Sequence, residues 1–114
     1  MELSLEIVGG SPRLALDMLG SGNSIHSGAE APIPGGATIQ YRGTRAKRSV
    51  GIPDVLQFVL QSSVNVELAL VASWLYDRVK AKPVESIRIN RRVVTAVTED
   101  GIRKVLEEEI SLNR

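Results

Sequence analysis

The stretch Gly51–Pro83, GIPDVLQFVLQSSVNVELALVASWLYDRVKAKP, decides how the chain is read. Pro53 and Asp54 suit the first turn of a helix, where a missing N–H costs nothing and the dipole favours a carboxylate. Val55, Leu56, Val59 and Leu60 then recur at helical spacing, with Phe58 to one side. Ser62-Ser63-Val64-Asn65 interrupts the pattern, and Asn65 suits an N-cap. A second helix is predicted over about 66–81, ending ahead of Pro83. Its stripe is Leu68, Val71, Ala72, Leu75 and Val79, while Leu70 and Trp74 fall on another face. A helix that is apolar on two sides is either central or meets a partner. The stretch therefore predicts a central helical pair.

The same residues test a membrane reading. Val55–Tyr76 has the length to cross ~30 Å of hydrocarbon. Gln57, Gln61, Ser62, Ser63, Asn65 and Glu67 oppose it, because polar and charged groups are costly at that depth. No transmembrane span is expected. Trp74, Tyr76, Arg78 and Lys80 suit peripheral contact with a membrane surface instead.

Toward the N-terminus, Leu3, Leu5 and Ile7 alternate with Glu2, Ser4 and Glu6, the period of a half-buried strand. A turn follows at Gly9–Pro12. Over 13–19, Leu14, Leu16 and Met18 alternate as a strand would, although Ser11 and Pro12 could equally open a helix. The alternation is preferred here, as a hairpin partner for the first strand. The segment 20–36, rich in Gly, Ser and Pro, is expected to be a long, mobile loop. Ala37–Arg42 alternates again as a strand.

Toward the C-terminus, Glu85–Ile89 and Val93–Val97 read as strands around Asn90-Arg91-Arg92, a hairpin signal weaker than Asn-Gly. Thr98 is placed to cap a last helix, with Glu99 and Asp100 in its first turn. Ile102, Val105, Leu106 and Ile110 make that helix amphipathic. The expected fold is α+β and a single domain over 1–114. It would be a mixed or antiparallel sheet of about four to five strands, packed on the central helical pair and the C-terminal helix.

Composition narrows the chemistry. With no cysteine among 114 residues, thiol catalysis and Cys-ligated zinc are excluded. His26 is the single histidine, and no spaced carboxylate set imitates a calcium loop, so no metal or cofactor is expected. Glu107-Glu108-Glu109 are consecutive and fan around a helix rather than converging. Gly20-Ser21-Gly22 lacks the lysine and the strand–helix context of a phosphate loop. No acid–base or nucleophile pair emerges, so no catalytic residue is assigned and an enzyme with a cryptic site is the least favoured class. A cytoplasmic protein is expected, since Met1–Gly10 has neither a basic start nor a long apolar run.

The chain carries 14 basic and 13 acidic residues, yet their distribution is uneven. Arg42, Arg45, Lys47 and Arg48 form a basic run beside Tyr41, able to hold phosphates with the ring stacked on a base. Arg91 and Arg92 would extend it, if the fold brings the two regions together.

From Val66 onward an apolar helix with Trp74-Leu75 precedes a basic stretch of Arg78, Lys80 and Lys82. Ser86-Ile87-Arg88-Ile89-Asn90 and Val93-Val94-Thr95 follow. That order, over less than half of the chain, resembles the small effector-associated constant component proteins of bacterial conflict systems. That family has an apolar helical region, a basic end and a strand–turn–strand close, with a loop glycine where Asn90-Arg91-Arg92 stands here. The resemblance implies a non-enzymatic accessory partner of a larger effector, and it transfers no functional residue.

Two expectations follow. The first is an interaction module, a homo-oligomer or the partner of a larger protein, with Leu70, Trp74 and Phe58 at its interface. The alternative is an anion- or nucleic-acid-binding module using Tyr41, Arg42, Arg45, Lys47 and Arg48.

Overall fold

The computed structural model of the chain describes residues 2–9, 12–20, 26–45, 54–62, 65–80 and 84–112. Its elements in order are β1 (Glu2–Val8), α1 (Pro12–Leu19), β2 (Glu30–Ile33), β3 (Ala37–Arg45), β4 (Val55–Ser62), α2 (Leu68–Val79), β5 (Ser86–Ile89), β6 (Arg92–Val93) and α3 (Glu99–Leu112). The class is α+β, as expected, but the sheet has six strands, in the order β2-β3-β4-β1-β5-β6. Every neighbouring pair is antiparallel.

β1 is the strand that the others assemble around, with β4 on one side and β5 on the other. Its alternation sends Leu3, Leu5 and Ile7 into the core. After α1 the chain starts again at the far edge and returns through β2, β3 and β4 as a meander. α2 then carries it past β1 to β5. Buried residues of α1 (Leu14, Ala15, Met18), α2 (Val71, Ala72, Leu75, Val79) and α3 (Ile102, Val105, Leu106, Ile110) join the inward side chains of the sheet in one cluster. The helices thus cover a single face of the sheet.

Several expectations are corrected. Residues 55–62 are a strand, so there is one central helix and no helical pair. Leu56, Phe58 and Leu60 repeat at a period of two, and the run Val55–Leu60 also satisfies helical spacing. Periodicity cannot separate the two in so short a run. The free ladders of β1 and β3 on either side settle it, because together they satisfy the backbone of β4. Residues 13–19 are helical: Leu14, Ala15, Met18 and Leu19 are buried at helical spacing, whereas Leu16 is only half-buried. The supposed loop 20–36 contains β2. The strand expected at Val93–Val97 is only two residues long, and Val97 is exposed. α2 begins at Leu68, with Glu67 rather than Asn65 at its N-cap and no side-chain cap.

The start of α3 is as expected. The Gly101 N–H donates to the Thr98 hydroxyl at 3.0 Å, and Glu99 and Asp100 occupy the first turn. Gly101 answers to close packing: a Cβ there would sit well inside contact distance of the Ala96 carbonyl oxygen. No helix of the described residues is long and apolar enough to cross a membrane.

Candidate functional site

On β1, β3, β4 and β5 the side chains of opposite parity point away from the helices. Register aligns Ser4 with Val59 and Glu6 with Gln57 across β1 and β4. It aligns Glu6 with Arg88 on β5. These short and medium side chains make a floor. Arg42 and Arg45 rise from β3 on one side of it, and Arg88 and Arg91 stand on the other. The result is an open hollow of about 840 Å³, bordered as well by Val93. Four arginines line it against one carboxylate, Glu6.

Local backbone features aim these groups. A β-bulge interrupts the β3–β4 register between Tyr41 and Gly43. Gly43 lies at φ +124°, a conformation that side chains other than glycine's rarely adopt. The extra residue is Arg42, which turns its guanidinium toward the hollow. Arg42 donates to Gln40 Oε1 at 3.2 Å, and its carbonyl accepts from the Ser27 hydroxyl. Arg45 reaches Glu6 at 3.5 Å, with side chains 50% and 15% exposed respectively. Such a partly exposed pair contributes little to stability and leaves the arginine available to other anions.

The β5–β6 turn places the last arginine. Asn90 and Arg91 have φ of 51° and 69°, the left-handed pair of a tight hairpin turn. Asn90 is held there twice: its N–H donates to the Ser4 carbonyl at 2.9 Å, and its Oδ1 accepts from the Ser4 N–H at 2.8 Å. Arg91 has the position where glycine is usual, at a cost of about 1 kcal/mol for a residue with a Cβ. An arginine kept in that conformation at the rim of an arginine-lined hollow is local strain of the kind that collects at functional sites.

The sequence-predicted basic residues divide accordingly. Arg42 and Arg45 line the hollow, and the fold brings Arg91 to them. Arg92 has the opposite parity and pairs with Glu108 of α3. Lys47 and Arg48 lie outside the described residues. Tyr41 is 9% exposed, its hydroxyl bonded to Thr44 and its ring tilted against Phe58, so it is not a stacking platform. Phe58 is 1% exposed and belongs to the core, which removes it from the proposed interface. The sequence does not single out Arg88: within Ser-Ile-Arg-Ile its signal is one long cation alternating with two isoleucines, and local pattern does not show which side of the strand α1, α2 and α3 cover.

Leu70 and Trp74 do share an outer face, on α2. Leu70 is 46% exposed and Trp74 half-buried, with the Arg78 guanidinium 5.8 Å from the ring centroid. They border a hollow of about 460 Å³ together with Pro34, Ser73, Tyr76 and Asp77. Lys80 and Asp77 pair at 2.9 Å on this surface. The hydrogen bond and the charge of Lys80 hold the Asp77 carboxyl below the ordinary carboxylate range, and the same contact raises Lys80. His26 is exposed. No group of three or more metal-ligating side chains occurs among the described residues.

No protein-family model matches the chain, and no curated protein or solved structure matches it either.

Proposed function

We propose that the protein is a non-enzymatic interaction module that holds an acidic segment of a partner protein on the face of its sheet opposite α1, α2 and α3. The observation that carries this is the gathering of Arg42, Arg45, Arg88 and Arg91 around one hollow from two separate stretches of sequence. Guanidinium forks suit carboxylates through paired, planar hydrogen bonds. A protein partner is favoured over nucleic acid by two features of the same surface. Its aromatic neighbours Tyr41 and Phe58 are buried, so bases find no ring to stack on. Val59 and Val93 offer apolar contact to side chains. The resemblance to accessory proteins of bacterial effectors agrees with such a role in the cytoplasm.

Fluorescence anisotropy tests the proposal with a labelled glutamate-rich peptide, a lysine-rich peptide and single-stranded DNA. Binding confined to the acidic peptide, weakened by salt and lost in Arg42→Ala/Arg88→Ala, supports it. Preference for DNA overturns it.

A second reading, self-association through α2, rests on the exposure of Leu70 beside Trp74. Light scattering of the wild type and of Leu70→Glu tests it. A wild type that stays monomeric at high concentration removes that reading.

A further inference from the structure

We infer that the acidic segment is an amphipathic α-helix, laid along β1 and β4 between the two arginine walls; this rests on the binding role proposed above. The first reason is backbone chemistry. A segment placed on the face of a sheet, rather than at its edge, finds no ladder for its N–H and C=O groups. An extended peptide would leave those groups unpaired as the hollow dries, whereas a helix satisfies them internally.

The second reason is width. Arg42 and Arg45 stand on β3, and Arg88 on β5, three strand intervals away. At ~4.8 Å per interval that is about 14 Å between backbones. A helix with its side chains is about 10–12 Å across, so its body fits between the walls. The floor between them is low where Ser4 pairs with Val59, which suits a narrow apolar stripe.

The third reason is the symmetry of charge. Guanidinium groups flank the floor on both sides, so the complementary ligand carries carboxylates on both flanks of an apolar stripe. Along β1 the lining of the hollow runs from Ser4 to Glu6, two residue steps or about 7 Å. That is the length of about five residues of helix, a little over one turn, so one central turn of the ligand helix meets the floor. A helix seated there adds a second layer opposite α1, α2 and α3, giving the sheet cover on both faces.

The test uses three labelled 16-residue peptides of matched charge, made of Glu, Leu and Ala. One repeats leucine at helical spacing with glutamates on both flanks. The second is the same with a central proline. The third alternates leucine and glutamate as a strand would. Each is titrated against the full chain by anisotropy, with peptide helicity followed by circular dichroism. The inference expects the first to bind at least about tenfold tighter than the others, since an interior proline breaks the helix and the alternating pattern has no helical stripe. It also expects helicity to rise on binding. Arg42→Ala/Arg88→Ala and, separately, Arg91→Gly should weaken that binding, while Leu70→Glu should not. Equal binding of all three peptides overturns the helix and leaves the acidic-partner role standing. Binding of none of them overturns both, and an effect of Leu70→Glu equal to that of the arginine variants moves the site to α2.

Discussion

The two faces of one sheet differ in almost every physical respect. The face toward the helices carries Leu3, Leu5, Ile7, Ile39, Leu56, Phe58, Ile87 and Ile89, all buried. The opposite face carries Ser4, Glu6, Gln57, Arg42, Arg45 and Arg88 at the alternate positions of the same strands. One face carries most of the core; the other carries a charged hollow, with the paired Val8 and Val55 buried at its end. Strand geometry makes this division of labour possible, because neighbouring residues point in opposite directions and can be chosen independently.

Substitutions should therefore separate stability from binding according to parity. The largest expected effect is on the helix side: Phe58→Ala should cost about 3–5 kcal/mol of stability, measured by denaturant unfolding, through lost burial and a cavity. Its counterpart, Arg42→Ala/Arg88→Ala, should stay within about 0.5 kcal/mol of wild type. A large loss from the arginine pair would show that the two faces are not energetically separate.

Next in size, Gly101→Ala should destabilise by about 1–3 kcal/mol, because the added methyl meets the Ala96 backbone and α3 must shift. Unchanged unfolding would mean that the 95–98 connection yields easily.

Arg91→Gly is the sharpest probe of the comparison, because the two readouts move in opposite directions. Relief of the left-handed strain should raise stability by about 1 kcal/mol, while affinity for the acidic peptide falls. A variant that gains stability and keeps its affinity would show Arg91 to be a bystander of the turn.

The smallest effect lies away from both faces, at Asp77 and Lys80. Asp77 has a lowered folded-state pKa, so its contribution is complete above the ordinary carboxylate range and lost as pH falls through the folded value. Lys80 has a raised one, so its contribution is complete below the ordinary lysine range and lost as pH rises through the folded value. Both side chains are more than half exposed, so Asp77→Asn should change the midpoint only slightly and the difference should vanish in high salt. A shift that persists in salt would point to a role in packing.

Much was legible from local pattern. The alternation of Glu2–Val8, the stripe Val71, Ala72, Leu75, Val79, and the cap and stripe of α3 all appear where the residues placed them. In each, one period fits and the competing one fails, so sequence neighbours suffice. Two of the errors, Val55–Leu60 and the helix Pro12–Leu19, fall where both periods fit. Phe58 and Tyr41 were misjudged as functional residues for the same reason, since the side of a strand that faces the core is set by what packs on it.

By itself, then, the sequence determined the class of fold, the chemistry that cysteine and histidine content withholds, and the existence of a basic run near Tyr41. Those depend on composition and on contacts a few residues apart. Tertiary structure alone decided that Arg88 and Arg91 join Arg42 and Arg45. Their strands are separated by more than forty residues of chain and meet only because β4 and β1 pair between them. A binding surface made from one face of a sheet is a product of strand order, and strand order arises from long-range pairing that no local period records.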